Sequence, residues 1–305
     1  MTQRYQSVFG WSAVAASTLI ACFWAWWGIL ENFHEGWWHP SIVMRLGQLI
    51  GMYMLFTNLF VGAGLVALRW PRLGGGVHIA AGCWALWFFR AASPMLVFPF
   101  MVGPFVGIGV AYWLGRPYPR WLAMSALCLL PLLTIVLFGI GPAWRISQRL
   151  DDGDRGARRI SGNGVDLVWA PEGPGWPTEG VSWDEAKRRC EHLTDDGSSL
   201  ADEPQRIWRL PTAEEAVRSM QRRGRNCGGK WDAVRQKASY EITPDKESPL
   251  WDVHSQVVYW WTATELSEKQ ALIIVYDGKT WPRPKNFRPG YLGFRGVKDP
   301  PYTTQ

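Results

Sequence analysis

Lysine is absent from the first 145 residues, and acids nearly so: Glu31 and Glu35 stand against eight arginines. Beyond Arg145 the two signs balance, so the net charge of +6 and the pI near 9.1 arise from the first part alone. Single arginines scattered through an apolar segment exclude nucleic-acid binding through a basic face, which needs its charges gathered on one surface. Cysteine is scarce too. Of the five, Cys22, Cys83 and Cys128 lie in the apolar part without ligand spacing and read as ordinary buried thiols, and none follows Cys227. The mean hydropathy of −0.10 averages two unlike halves, and the contrast between them excludes a single soluble enzyme domain.

The apolar half predicts an all-α membrane domain over 1–141. A bilayer core takes roughly 20 apolar helical residues, and about five stretches approach that length: 7–30, 41–68, 75–92, 95–115 and 121–141. Arg4, Arg69, Arg72, Arg116 and Arg120 fall on one side of these spans, with Arg90 on the other. The positive-inside rule then predicts a bacterial inner-membrane protein with a cytoplasmic N-terminus and its C-terminal half outside. Were the short third span re-entrant, four crossings would return that half to the cytoplasm. Trp37, Trp38, Trp70, Trp113, Trp121 and Trp144 fall near the expected helix ends, where indole rings favour the lipid interface. Leu19-Ile-Ala-Cys22 resembles a lipoprotein cleavage site, but the apolar run continues past it, which a cleaved signal would not do. Gly47-x-x-x-Gly51 and Gly103-x-x-x-Gly107 carry the spacing that lets helices approach closely. Gly62-Ala-Gly64 has no preceding strand and is no dinucleotide loop.

Between the first two spans, Glu31, His34, Glu35 and His39 crowd into nine residues. If the first helix continues through them, Glu31, His34 and His39 are candidate metal ligands, a pattern known from carboxylate and histidine sites in bundles. The plainer reading is a polar interfacial loop anchored by Trp37 and Trp38, with Arg90 available to pair with the acids.

Residues 142–163 are polar and glycine-containing and read as a linker. From 164 to 298 a compact α+β domain is expected, with nine tryptophans to build a core, and 299–305 form a tail. Gly164–Ala170 alternates like a strand. Ser182-Trp-Asp-Glu185 and Thr212-Ala-Glu-Glu215 are capping boxes that open helices through about Leu193 and Arg222. Strand-like Val257–Thr262, Ala271–Tyr276 and Gly293–Val297 follow.

Three of these segments carry a resemblance. Val181-Ser-Trp-Asp-Glu-Ala-Lys-Arg-Arg-Cys-Glu-His-Leu193, Trp208-Arg-Leu-Pro-Thr-Ala-Glu-Glu215 and the closing Gly293-Phe-Arg-Gly-Val297 resemble, in order, signatures of the formylglycine-generating enzyme (sulfatase-modifying factor) superfamily. The resemblance implies a C-type-lectin-like fold for 164–298 and does not reach the membrane half. Trp260-Trp-Thr-Ala-Thr264 is similar to a segment of bacterial lectin-like relatives. Oxidase members keep two redox cysteines shortly before the Gly-Phe-Arg, and thiol chemistry needs sulfur there; this chain has none after Cys227, which argues against formylglycine synthesis. Iron-dependent relatives would need a histidine cluster, and His192 and His254 stand alone. Many relatives place a cysteine where Gly296 stands, bridged to the helix cysteine, so Cys190 lacks that partner here. A Cys190–Cys227 disulfide would persist outside the cell, but two cysteines do not establish one.

The fold also invites calcium, with Asp195, Asp196, Asp202 and Glu203 as oxygen donors, though a solvated acidic loop is the better explanation of them. Arg218, Arg222, Arg223 and Arg225 read as the last turns and exit of a helix. The late aromatics Trp251, Tyr259, Trp261, Trp281 and Tyr291, with Arg283 and Lys285, are the candidate ligand surface, since exposed rings stack on sugars or grip peptide. Strand alternation sends Trp260 and Trp261 to opposite sides, one to the core and one to the surface.

The reading with most support is a non-catalytic binding or sensing protein that presents this module outside the membrane to a glycan, cell-wall fragment or protein partner. The alternatives are an enzyme, with a membrane-face metal site or an unrecognised exported activity, and a structural subunit. Membrane lipids are implied partners, as is a homo-oligomer or larger membrane complex.

Overall fold

The computed structural model describes residues 3–90, 98 and 102–301. The chain divides into two compact units, one of Met1–Gly36 and Ser41–Trp144, the other of Trp37–Pro40 and Arg145–Gln305.

The first unit is helical. α1 (Gln3–Glu31) runs on as a π-helical turn over Asn32–Gly36. α2 (Ile42–Gln48) and a second π turn (Leu49–Tyr53) lead to α3 (Leu55–Arg69), then α4 (Pro71–Phe88), α5 (Gly103–Leu114) and α6 (Arg120–Ser147). Gln3–Gly36 and Arg120–Ser147 are long and apolar enough to cross a membrane. Ile42–Tyr53 and Leu55–Arg69 form a third candidate if that pair, bent by 65°, is one span. Among the described residues two or three candidate spans thus stand where the sequence predicts five. The expected unbroken helix over 41–68 is interrupted at Met54, whose ψ of 9° leaves the helical region; the ends of the expected 75–92 span and the start of the 95–115 span lie outside the described residues.

The outer faces of these helices suit hydrocarbon. On α6, Leu129, Leu133, Val136, Leu137 and Ile140 are exposed, whereas Ala123 and Leu127 are buried. Small residues set the inner spacing: a Cβ at Gly74 of α4 would stand 2.3 Å from the backbone nitrogen of Ala67 in α3, so only glycine lets the two backbones come this close. Gly47, Gly51 and Gly107, which the spacing marks as contact positions, have nothing within 4 Å. The close approaches lie at other glycines: a Cβ at Gly75 of α4 would stand 2.6 Å from the Gly109 carbonyl oxygen in α5.

The second unit is strand-rich. β1 (Arg158–Gly162), β2 (Val165–Trp169) and the short β11 (Val297–Lys298) form an antiparallel sheet ordered β1-β2-β11. β7 (Tyr259–Glu265), β8 (Gln270–Val275) and β9 (Thr280–Pro284) are antiparallel neighbours, and β10 (Leu292–Gly293) adds to β7 in parallel. Two hairpins intervene, β3 (Gln221–Arg222) with β4 (Arg225–Asn226) and β5 (Lys230–Asp232) with β6 (Lys237–Ser239). α7 (Trp183–His192) is capped by the Ser182 hydroxyl, which accepts from the Glu185 N–H, and α8 (Ala213–Ser219) begins with the full reciprocal box of Thr212 and Glu215. α8 stops short of the expected Arg222 because the chain turns into β3. The core joins Trp169, Trp208, Trp260, Trp261, Tyr276 and Phe294, all fully buried, each such side chain stabilising the fold by about 2–3 kcal/mol.

From Arg145 on, the segment expected as a linker belongs to this unit. Arg155 pairs with Asp151 and Asp252, Arg158 with Asp152 and Asp154, and β1 lies inside the same stretch. Its charges are polar in sequence but are neutralised by one another and by residues almost a hundred positions away.

Candidate functional site

The late strands bring three of the candidate rings together. Tyr259, buried at the start of β7, lies 5.8 Å from the Trp281 ring and 5.4 Å edge-on from Tyr291. Parallel pairing of Leu292 with Tyr259 sets Tyr291 beside it, and edge strand β9 carries Trp281. Trp281 and Tyr291 are partly exposed. The Arg283 guanidinium sits 5.4 Å from the Trp281 ring centre, within the range of cation–π attraction. Both residues lie on the strand Thr280–Pro284. Pro282 and Pro284 remove two N–H donors from it, which blunts a sheet edge against pairing with another chain.

Lys285 follows directly. Its ammonium lies 4.4 Å from the ring of Trp183, on whose face Lys187 also sits at 5.4 Å, and it donates to Glu265 at 2.5 Å. That hydrogen bond, more than any other influence, holds the Glu265 carboxyl below its ordinary pKa. A groove of about 730 Å³ opens next to it, lined by Asp184, Lys269, Lys285 and Asn286 among others.

Trp251 and Trp261 do not join this face. Trp251 is buried and stacked 3.8 Å from Trp260. Trp261 is wholly buried, its indole N–H donating to the Val181 carbonyl. Alternation does send Trp260 and Trp261 to opposite sides, but both sides are covered, one by Trp251 and Trp169 and the other by the segment leading into α7. The candidate surface thus reduces to Trp281, Arg283, Lys285 and Tyr291, with Tyr259 behind them.

The candidate ion sites do not assemble. Among the described residues no group of three or more His, Cys, Asp or Glu could hold a metal ion, so Glu31, His34 and His39 are not gathered into one, although the helix does continue through Glu35 as a π turn. In the acidic loop, Asp196 accepts from Thr194 and Ser198, which hold its pKa down at about 2, and Asp195 pairs with Lys298. These oxygens close the turn and pair with a lysine. Cys190 and Cys227 are both unbridged and buried. Burial pushes the Cys227 thiol up to about 11, so it is protonated and inert at neutral pH.

Two charged features escaped the sequence reading. Arg295, of the closing Gly-Phe-Arg-Gly, is fully buried without a carboxylate: it donates to the carbonyls of Ala170, Pro249 and Leu250, and its guanidinium lies 3.6 Å from the Trp176 ring. Asp245, Lys246 and Glu247 are all buried. Asp245 binds Arg149 and Arg222, each at 2.7 Å, and Arg145 at 3.5 Å. Glu247 accepts from the backbone N–H groups of Leu150 and Arg223. Arg222, expected at a helix exit, is thus a core ion partner. Nothing local marks these residues; Ser248-Pro249 after them reads only as a turn. Lys246, donating to the Ser255 carbonyl, has its pKa pushed down to about 7 by burial and by the charge of Arg149.

No family model, curated protein or solved structure matches the chain.

Proposed function

We propose that this is a non-catalytic binding or sensing protein of the bacterial inner membrane. In this reading five segments cross the bilayer from a cytoplasmic N-terminus, and the strand-rich unit is a lectin-like module outside, related to the formylglycine-generating enzyme superfamily. Its ligand is a glycan, most simply a cell-wall fragment. The observation that carries the reading is the partly exposed Trp281–Tyr291 pair, backed by Tyr259 and flanked by Arg283. Rings fixed from behind lose little entropy when a sugar ring stacks on them, and a guanidinium beside them suits a carboxylate on the same ligand. The family relationship has support from position 296, where an added Cβ would meet the Cys190 sulfur at 3.2 Å, the neighbourhood in which relatives carry a bridging cysteine.

The test uses the full chain in mild detergent, titrated with soluble peptidoglycan disaccharide-peptides and followed by tryptophan fluorescence. Saturable binding that weakens at least tenfold in the double variant Trp281→Ala/Arg283→Ala is expected. Equal affinity in wild type and variant, or no binding by the wild type, overturns the reading.

A further inference from the structure

The helical unit has a second charged site, remote from any acid. Arg69 ends α3, Trp70 turns the chain, and Pro71 and Arg72 begin α4. Across from them Arg116 follows α5. Arg69, Arg72 and Arg116 line one open cavity of about 500 Å³ together with Trp70, Pro71 and Leu73. Like charges gather here because packing holds the backbone. The close approach of Gly74 to Ala67 fixes the α3–α4 turn. The Trp113 indole N–H donates to the Arg72 carbonyl at 2.8 Å, tying that turn to α5. The Arg116 N–H donates to the Gln6 carbonyl at 2.9 Å, and a Cβ on Gly10 would stand 2.2 Å from the Pro117 nitrogen, so the Arg116–Pro117 turn is clamped on α1.

Among the described residues, none of the three arginines forms an ion pair. The only two acids of the unit, Glu31 and Glu35, lie at the other end of α1, about 38 Å along the helix from Gln6 at 1.5 Å per residue. The positive end of the α4 dipole, opened without a side-chain cap, adds to the same potential. Trp70 and Trp113 are both more than half exposed beside the cavity, as rings are at headgroup depth.

We propose that this pocket binds the phosphodiester of an anionic phospholipid. Guanidinium groups grip phosphate oxygens bidentately, and basic pockets between transmembrane helices are suited to acidic headgroups. The lipid's chains lie along the exposed apolar faces of the helices, and its phosphate supplies the negative charge that this half of the chain lacks. Lipid, not free phosphate, is the occupant because the pocket opens among residues of interfacial character at the ends of apolar helices.

The experiment is native mass spectrometry of the full chain, delipidated in non-ionic detergent and offered phosphatidylglycerol or phosphatidylcholine with the same acyl chains. Retention of phosphatidylglycerol at least tenfold above phosphatidylcholine is expected for wild type. That preference falls to near unity in Arg69→Gln/Arg72→Gln/Arg116→Gln and is partly kept in the triple lysine variant. Arg4→Gln/Arg120→Gln removes nearby charge from outside the cavity and leaves the preference intact. If the triple glutamine variant does not fold, Arg72→Gln and Arg116→Gln singly, each at an exposed side chain, are expected to lower it about threefold. Equal retention of the two lipids by wild type, an unchanged preference in the cavity variants, or binding of inorganic phosphate without the lipid overturns the proposal.

Discussion

Arginine does opposite work in the two units. In the strand-rich unit it is neutralised from within: Arg149 and Arg222 share Asp245, Arg155 bridges Asp151 and Asp252, and Arg209 is bidentate on Glu215. In the helical unit Arg69, Arg72 and Arg116 form no ion pair among the described residues, and almost no acid exists for them to meet. A net charge of +6 for the whole chain describes neither. On the proposed reading, the difference follows from the solvent each unit faces. Water makes a carboxylate the natural partner of a guanidinium and permits both to be buried together. If the helical unit sits in a bilayer as proposed, lipid phosphate supplies the negative charge that its own residues do not. Arg295 stands apart from these pairs, being fully buried with carbonyls and one indole ring in place of a carboxylate.

That exception carries the largest expected effect. Arg295→Met conserves length and removes the charge, leaving the Ala170, Pro249 and Leu250 carbonyls without their donor. Charged hydrogen bonds contribute roughly 1.5–3 kcal/mol each, and stranded buried carbonyls add to the loss. Destabilisation of about 4 kcal/mol or more is expected, seen as loss of cooperative melting of the strand-rich unit. A variant melting within a degree of wild type would mean that Arg295 is tolerated there and not required.

Such anchors are what the sequence leaves hidden. Ser182 and Thr212 announce their helices, because a cap acts within three residues and can be read locally. Trp260 and Trp261 could be assigned to opposite faces of a strand, but whether a face is covered depends on Trp251 and on the segment before α7, which no spacing rule brings near. The stretch 142–163 reads as a linker for the same reason: the partner that buries Arg149 lies 96 residues on. Trp281 and Arg283 were legible as a surface, although their place on an edge strand was masked by the prolines that make it a safe edge.

Asp245 gives the next largest effect and tests the neutralised pattern directly. Burial alone would raise its pKa; the charge of Arg149 and hydrogen bonds from Arg222 and Arg149 outweigh it and hold the carboxyl below the ordinary value. Asp245→Asn keeps the shape, strands the largely buried Arg149 and leaves Arg222 with Glu247 alone at 3.4 Å, at a cost of about 3 kcal/mol at neutral pH. The sign with pH follows: with the folded pKa depressed, the stabilisation is fully present above the unfolded value near 4 and is lost as pH falls through the folded one. Denaturant unfolding of wild type and variant should therefore differ most at pH 6–7 and converge below about pH 4. A constant difference down to pH 3 would assign the loss to packing instead of charge.

The smallest effect sharpens the comparison by asking which solvent the neutralised unit faces. In Gly296→Cys the new Cβ would lie 3.2 Å from the Cys190 sulfur, close enough that a rotamer directing the second sulfur at the first meets disulfide geometry without large backbone movement. Gly296 does not occupy the left-handed region, so a side chain is tolerated there. If the arginine-rich loops face the cytoplasm and the spans are odd in number, this unit lies in an oxidising compartment and the bond forms unaided. Cells lysed with a thiol-blocking maleimide should then yield Gly296→Cys with Cys190 protected, and the purified variant should gain about 2 kcal/mol over its reduced form, at the modest end of what closing a long loop provides. Free thiols in cells together with ready oxidation after lysis would put the unit in the cytoplasm and leave the pairing geometry standing. Thiols that stay free under both conditions would remove position 296 as support for the lectin-like relationship.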